Sequence, residues 1–252
     1  MKDQDIGACR LFVPGDLSAG GRVELTREQS HYLRHVLRLA EGAELLAFNG
    51  RDGEWRVRLV DAARRGGAGA LEAFEQRRPQ ARHGDLALLF APLKHARLDY
   101  MVQKAVEMGA SRLAPVITRR TQVARLNLER MRANAVEAAE QCGILSLPDI
   151  SPPARLAEAV VALEPGRRLI FCDEAADESD AIAPLRRLGR GPLGVLIGPE
   201  GGFAEDERQL LLARPLTTRL SLGPRIMRAD TAAVAALAVV QATIGDWLPG
   251  NA

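Results

Sequence analysis

Two glycine-containing turns near the C-terminus carry the strongest chemical signal in the sequence. The first spans residues 196–203 (LIGPEGGF), directly after an apolar run typical of a buried strand. Glycines at the end of a strand let the backbone turn sharply and approach a ligand, and ligands of open α/β sheets bind beyond the carboxyl ends of the strands. The turn is neither a GxxxxGK(S/T) nor a GxGxxG motif. Alone it is therefore more typical of a tight strand–helix connection.

The second turn lies in residues 220–232 (LSLGPRIMRADTA), again as a strand, a Gly-Pro turn and the start of a helix. Arg225, Arg228 and Asp230 place two guanidinium groups and a carboxylate near that helix start. Such a group can stabilise negative charge on a substrate. An Arg–Asp pair that caps the helix explains the same residues.

The elements that position these turns follow an alternating pattern from residue 85 onward. Near-continuous apolar runs separated by helical segments are typical of a parallel sheet covered on both faces. The expected strands cover 86–91, 113–117, 169–172, 194–197 and 218–221, and the expected helices cover 98–108, 128–142, 204–212 and 232–246. The last helix is rich in alanine, which indicates close packing against another element.

The N-terminal part has a different pattern, with short runs in which apolar and polar residues alternate. Residues 44–48 and 55–60 predict two strands with one solvent-exposed face, joined as a hairpin by the turn at 49–53. A capping-box-like start at Thr26 predicts a short helix. We expect a small β-barrel domain over residues 1–76. The polar stretch that follows lacks periodicity, so a second domain is expected over 77–252.

Composition excludes several classes of protein. The 252 residues are 47% hydrophobic and 26% charged, which is typical of a folded globular chain. Charged residues interrupt every apolar run before the roughly 20 residues that a membrane span needs, and no secretory signal is recognisable. Cys9, Cys142 and Cys172 lack the spacing of a disulfide framework or zinc site, which favours a reducing, cytoplasmic environment. A net charge of +2 does not by itself indicate a basic surface.

Together, LIGPEGGF and LSLGPRIMRADTAA resemble the two C-terminal signatures of the SPOUT superfamily of RNA methyltransferases. Within it, the chain is similar to the 16S rRNA (uracil-N3)-methyltransferase family. Further matching segments lie, in the same order, at 10–13 (RLFV), 31–38 (HYLRHVLR), Lys94 with 98–109, and 140–143 (EQCG). The resemblance covers nearly the whole chain. It departs at Ile144, where the family has arginine, and at Asp230, where it has glutamate.

The resemblance implies a C-terminal SPOUT α/β domain with a trefoil knot and an N-terminal PUA-like β-barrel domain that binds RNA. It also implies that S-adenosylmethionine binds to three loops, at 172–174, 196–201 and 222–227, largely through backbone groups. The residues expected to contact the cofactor are Cys172, Leu196, Ile197, Gly198, Glu200, Gly201, Leu222, Gly223, Ile226 and Met227.

The implied reaction methylates N3 of a specific uridine, a nitrogen that carries a proton at pH 7. Removing that proton, or stabilising the resulting anion, is the chemical problem. We assign stabilisation of the uracil anion to Arg228 and the role of general base to Glu200 or Asp230. The alternatives are that Glu200 only caps a helix and that Asp230 only pairs with Arg228.

The expected contacts with RNA are Arg10, Arg34, Arg38 and Lys94, through backbone phosphates. His31 and His35 are spaced like two metal ligands, but no third ligand is evident, so no metal is expected. The expected partners are the small ribosomal subunit and a second copy of the chain, joined through helix 232–246. Two other functions stay open: a non-catalytic RNA-binding or ribosome-assembly factor, to which Ile144 and Asp230 lend some weight, and a methyltransferase acting on tRNA.

Overall fold

The computed structural model describes residues 9–61, 68–81, 84–123, 125–176, 182–189 and 191–248. The chain forms two compact units. The first comprises Met1–Ala81 with Ala139–Ser146, and the second comprises Arg82–Ala138 with Leu147–Ala252. The first unit therefore differs from the predicted domain 1–76 chiefly by the added segment 139–146, the C-terminal end of a long helix and the turn after it.

The first unit is built on a five-stranded sheet in the order β1-β3-β4-β5-β2. The strands are β1 (Arg10–Phe12), β2 (Arg22–Glu24), β3 (Glu44–Phe48), β4 (Glu54–Val60) and β5 (Ala70–Arg78). β1 and β3 are parallel, and the other pairs are antiparallel. One face packs around Leu33, Leu45 and Leu71, which are fully buried. The predicted hairpin of β3 and β4 is confirmed.

The sequence gives no clear signal for β5, whose C-terminal half is charged. In the sheet these charges lie opposite charges on β4, with Glu54 paired to Arg78 and Arg56 to Glu75. Cross-strand ion pairs of this kind stabilise a strand that has little apolar surface to bury. β5 therefore continues to Arg78, into the polar stretch in which we expected the boundary between the two domains.

The predicted short helix is present as α1 (Arg27–His31), and Thr26 forms the predicted capping box with Gln29. It continues into a π-helical turn, Tyr32–Val36. The glycine-rich residues 64–69 (RRGGAG) predict a turn or loop, and most of them lie outside the described residues.

The second unit contains a parallel sheet in the order β12-β10-β11-β6-β7-β8, with β9 paired to β7. Its strands are β6 (Leu86–Phe90), β7 (Arg112–Ile117), β8 (Asp149–Ile150), β9 (Ala154–Arg155), β10 (Arg168–Cys172), β11 (Leu193–Ile197) and β12 (Thr217–Leu220). The helices are α2 (His95–Glu107), α3 (Leu128–Cys142), α4 (Leu156–Val161), α5 (Ile182–Arg186), α6 (Glu205–Ala213) and α7 (Ala229–Ile244). The predicted parallel α/β arrangement is confirmed. The elements without a sequence prediction, β8, β9, α4 and α5, are all short.

Three of these strands position the candidate site. β10 lies between β12 and β11 and is parallel to both. Their carboxyl ends, Cys172, Ile197 and Leu220, therefore lie at the same edge of the sheet. The three loops expected from the resemblance follow these strands, so the topology brings together segments that are far apart in the sequence.

Candidate cofactor and catalytic site

A cavity of about 260 Å³ lies beyond the carboxyl ends of β10, β11 and β12. It is lined by Cys172, Asp173, Glu174, Ile197, Gly198, Pro199, Glu200, Gly201, Gly202, Leu220, Leu222, Gly223, Arg225, Ile226, Met227, Ala229 and Ala232. All of the predicted cofactor-contacting residues line it except Leu196. The side chain of Leu196 instead packs in the core beneath the cavity, against other buried residues.

The first glycine of the turn is required by the packing of the protein itself. A Cβ at Gly198 would lie 2.5 Å from the ring of Phe203, and that ring packs edge-on against Phe171 with centroids 5.1 Å apart. Close approach to a ligand is therefore not the only reason for a glycine at this position. Gly202 has a left-handed backbone with φ of 69°, and a Cβ there would lie 2.5 Å from a carboxylate oxygen of Glu174.

Asp173, directly after β10, anchors the first loop. Its carboxylate accepts hydrogen bonds from Arg219 at 2.8 Å, Arg208 at 3.1 Å and the backbone N–H of Ala175 at 3.1 Å. Burial raises the pKa of Asp173, but these hydrogen bonds outweigh it and hold the pKa below its usual range. The group is thus an anion beneath the cavity. The feature of the sequence that could have identified Asp173 as a site residue is its position immediately after a buried strand.

Burial acts alone on Cys172, the residue before Asp173. It raises the pKa of the Cys172 thiol to about 12, so this side chain stays neutral at physiological pH. A neutral thiol lines a ligand cavity as a small apolar group.

Glu200 lies at the cavity and does not cap the following helix. Its carboxylate is 3.4 Å from the guanidinium of Arg97, and both side chains are partly exposed. The helix α6 is instead capped by Glu207, which accepts hydrogen bonds from the backbone N–H groups of Ala204 at 3.0 Å and Arg119 at 2.8 Å. The capping alternative for Glu200 is therefore wrong, and its carboxylate is available to a ligand.

Arg120 holds the glycine-rich turn from the side of β7. Its guanidinium donates a hydrogen bond of 2.6 Å to the carbonyl oxygen of Gly201. This hydrogen bond holds the backbone of the glycine-rich turn, which forms part of the cavity wall.

The two arginines of the second turn are exposed. Arg225 lines the cavity, whereas Arg228 stands at the N-cap of α7. Asp230 accepts a hydrogen bond from the backbone N–H of Thr231 at 3.1 Å. No ion pair joins Arg228 to Asp230 in the described structure, so the pairing alternative is not observed. Neither side chain lines the cavity, although the adjacent Met227 and Ala229 do.

Comparisons with known proteins agree with this geometry. A family profile described as an RNA methyltransferase domain matches residues 80–241, and one described as an RNA methyltransferase PUA domain matches residues 25–67. A ribosomal RNA small subunit methyltransferase E of Rickettsia conorii is 30% identical over 234 residues, covering 92% of this chain and 94% of the relative. This chain belongs to the ribosomal RNA small subunit methyltransferase E family.

Solved structures extend the likeness of this methyltransferase to its three-dimensional fold. A ribosomal RNA small subunit methyltransferase E from Neisseria gonorrhoeae, bound to S-adenosyl methionine, superposes with a TM-score of 0.81 at 27% identity, covering 95% of this chain and 99% of that chain. A Legionella pneumophila protein in complex with the same cofactor gives 0.78 at 28% identity, covering 93% and 97%. The fold is that of SPOUT methyltransferases with a PUA-like N-terminal domain.

In the N-terminal unit of the methyltransferase, the structure argues against an RNA contact by Arg10. The Arg10 side chain is only 9% exposed and forms an ion pair of 2.7 Å with Glu54. It also donates to the carbonyl oxygens of Ala139, Glu140 and Ile144. Its hydrogen-bonding capacity is thus used inside the protein, so the expectation that Arg10 contacts an RNA phosphate is not supported.

Arg34 and Arg38 do not form one stripe on a regular helix. Arg34 is partly buried in the π-helical turn, and Arg38 lies after it, exposed and with φ of 57°. The exposed His31 and His35 rings lie 5.0 Å apart. No group of three His, Cys, Asp or Glu side chains among the described residues could hold a metal ion.

Lys94, in the second unit, is exposed at the N-cap of α2. It does not line the cofactor cavity but a second one. None of the described helices of the methyltransferase is long and apolar enough to cross a membrane.

Proposed function

We propose that this methyltransferase transfers a methyl group from S-adenosylmethionine to N3 of a uridine in small-subunit (16S) ribosomal RNA. The observation that carries the proposal is the glycine-lined cavity at the carboxyl ends of β10, β11 and β12. The cofactor-bound relatives of the same fold support the choice of ligand. The Rickettsia relative, a ribosomal RNA small subunit methyltransferase E, supports the choice of RNA.

The residues of the cavity fit this cofactor. Ile197, Leu222 and Met227 offer apolar surface, and the glycines allow an adenosine to approach the backbone closely. The exposed carboxylate of Glu174 makes the lining suitable for a cationic ligand. The charge of Asp173 is already compensated by Arg208 and Arg219. When bound, S-adenosylmethionine supplies an electrophilic methyl group on a positively charged sulfonium.

The protein groups would then control the proton and the charge on the uracil. Glu200 is our first choice for accepting the N3 proton, because it is the candidate base that lines the cavity. Asp230 is the second choice. Arg228 would stabilise the uracil anion, since its guanidinium is exposed beside the cavity and has no carboxylate partner among the described residues.

We propose that Arg34, Arg38 and Lys94 contact phosphates of the RNA, in the cytoplasm where the small subunit is assembled. Arg38 and Lys94 are exposed and Arg34 is partly exposed. Cations at a surface supply sequence-independent affinity that depends on salt, and base contacts or RNA shape supply the choice of uridine. An assembled subunit should therefore be a better substrate than a short RNA, because its folded surroundings present the uridine.

We also propose a homodimer formed through α7. The helix buries Ala233, Ala236 and Leu237, while Val234 and Val239 on its other faces stay partly exposed. A helix that is apolar on several faces is suited to further burial in an interface. A monomer by light scattering at micromolar concentration would contradict the dimer.

The test uses small subunits from cells that lack this protein. The purified chain with S-adenosylmethionine should methylate one uridine of the 16S RNA. Reverse transcription should then stop at that position, since an N3 methyl group blocks base pairing. A chain that binds RNA but not the cofactor would instead be the assembly factor. Methylation of tRNA but not of subunits would favour the third function.

A further inference from the structure

We propose that a second cavity, at the N-terminal ends of α2 and α3, binds a backbone phosphate of the substrate RNA. The inference rests on the proposed function in taking RNA as the ligand. The cavity has a volume of about 160 Å³ and shares no lining residue with the cofactor cavity. Its lining residues are Leu93, Lys94, His95, Leu98, Asp99, Val123, Arg125, Leu126, Asn127, Arg130 and Met131.

The charge around this cavity favours an anion. Asp99 is the only carboxylate among the described lining residues, and Arg130 neutralises it through two hydrogen bonds of 2.9 and 2.5 Å. Asn134 donates a third hydrogen bond to Asp99, at 2.7 Å. Lys94 and Arg125 are exposed and have no ion-pair partner among the residues that the structure describes. Two positive charges are thus left over.

The shape and floor of the cavity strengthen those charges. Leu93, Leu98 and Met131 are buried beneath it, and an apolar wall lowers the local dielectric constant, so that an ion interacts more strongly with nearby cations. A surface cation on a flat, solvated face lacks this advantage.

Two helices add partial positive charge at the same place. Lys94 is the N-cap of the 13-residue α2, and Asn127 accepts a hydrogen bond of 3.0 Å from the backbone N–H of Arg130 in the first turn of the 15-residue α3. Backbone N–H groups at a helix start favour anions. The N–H of Arg130 is already bonded to Asn127, so the contribution of α3 is its helix dipole, which acts in addition to the unpaired cations.

A phosphate is the anion that this combination fits. A lysine supplies a mobile point charge and an arginine supplies a planar fork, and phosphate oxygens accept from both. Because the described lining residues of this cavity differ from those of the cofactor cavity, the phosphate would be bound outside the site proposed for methyl transfer. The cavity would then set the register of the RNA on the catalytic unit.

The test compares Lys94→Ala, Arg125→Ala and the double variant with the wild-type full chain. Affinity for an assembled small subunit is measured at several salt concentrations, and cofactor affinity is measured by calorimetry. We expect the double variant to bind RNA about tenfold more weakly at low salt. Cofactor affinity should not change. Arg132→Ala is the matched control, because Arg132 is exposed on α3 outside the cavity and pairs only with Glu129 in the described structure.

The salt dependence separates one shared phosphate from two independent surface contacts. For one phosphate, the slope of log affinity against log salt should fall by about 0.7 to 0.9 in the double variant. A fall twice as large would overturn the shared site. Inorganic phosphate, added at constant ionic strength, should compete with RNA in the wild type and lose this effect in the double variant. If it binds without weakening RNA binding, the cavity serves free phosphate.

Two further outcomes would overturn the proposal: an unchanged RNA affinity in the double variant, or a loss no larger than that of Arg132→Ala. Competition for the cavity by an acidic protein but not by RNA would assign it to another class of partner. Failure of the proposed function has a different signature, because a wild-type chain that transfers no methyl group can still show the phosphate-dependent RNA affinity described above.

Discussion

Arg10 and Arg228 carry the same guanidinium group, and both lie in segments that resemble functional motifs, yet the structure gives them opposite surroundings. Arg10 is buried in the N-terminal unit, with a carboxylate and three carbonyl oxygens around it. Arg228 is exposed at the start of α7, with no carboxylate partner among the described residues. The role of an arginine thus depends on the acceptors that the fold places around it.

The difference has a simple physical origin. The carbonyl oxygens at the C-terminal end of a helix lack partners within the helix and attract cations. Arg10 donates to two of them at the end of α3, those of Ala139 and Glu140. The start of a helix has no such free carbonyl groups, so Arg228 is left available for a negatively charged ligand.

We expect the largest effect on stability from removing the buried arginine, Arg10. Arg10→Ala leaves Glu54, whose side chain is 6% exposed, with only one ion-pair partner and leaves three carbonyl oxygens without Arg10. We expect a loss of about 3 kcal/mol in the free energy of unfolding, measured in urea. Arg22→Ala is the matched control, since its ion pair with Asp61 is half exposed and should contribute less than about 1 kcal/mol.

The change in stability at low pH should also differ between the Arg10→Ala variant and the wild type. Burial raises the pKa of Glu54, but hydrogen bonds from Arg78 and Arg10 outweigh it and hold the pKa below its usual value. The stability from this carboxylate is therefore present above the unfolded pKa and lost as the pH falls through the lower folded pKa. The variant should lose less stability on acidification than the wild type. If the variant kept full stability but bound RNA more weakly, Arg10 would be an RNA contact after all.

Removing the exposed arginine, Arg228, should lower the rate of methyl transfer and leave stability unchanged. Arg228→Ala should lower turnover by about 10²-fold, equivalent to about 2.7 kcal/mol, because one preorganised group no longer stabilises the anion. Single-turnover methylation of assembled subunits measures this rate. Thermal unfolding, cofactor affinity and RNA affinity should remain close to the wild-type values. A large loss of stability would place Arg228 in the same structural class as Arg10.

Gly198 and Gly201 allow the same comparison, between a structural role and a ligand-binding role, at the cofactor cavity. Gly198→Ala places its Cβ 2.5 Å from the Phe203 ring, so unfolding should become easier by about 2 kcal/mol through overpacking. At Gly201 the nearest atom would be the Cδ of Arg120 at 3.4 Å. Gly201→Ala should therefore keep its stability and lose affinity for S-adenosylmethionine in calorimetry. Equal stability losses in both variants would show that neither glycine is specific to the ligand.

The smallest effect is expected at the surface of the first unit. Arg34→Ala combined with Arg38→Ala should weaken RNA binding about tenfold and flatten its salt dependence, since phosphate contacts are lost. Stability should change by less than about 0.5 kcal/mol. A filter-binding titration at several salt concentrations measures both the affinity and the slope. If this double variant binds RNA as tightly as the wild type, RNA docking belongs to the second unit.

Local sequence patterns were sufficient where the structure is set by neighbouring residues. The buried strands β10 and β11 and the helix α3 follow directly from apolar periodicity, because each pattern lies within one element. The three loops of the cofactor cavity were expected from the resemblance to the methyltransferase family. Two of them are also marked in the sequence by glycines at strand ends.

Contacts between distant segments could not be predicted in this way. Arg10 and Ile144 are 134 residues apart, and Asp173 and Arg219 are 46 residues apart. The second cavity likewise joins the start of α2 to that of α3. No periodicity within one segment reports the partner in another, so a charged residue looks the same in the sequence whether it is buried or exposed.

The sequence by itself determined the parallel sheet, the glycine-rich turns and the family of RNA methyltransferases, because these depend on patterns within single segments. Only the tertiary structure decided that Arg10 is structural, that Gly198 makes room for Phe203 and that Asp173 anchors a loop. The physical reason is that the role of a polar group depends on its burial and on its hydrogen-bond partners, and both are set by the packing of segments distant in the chain.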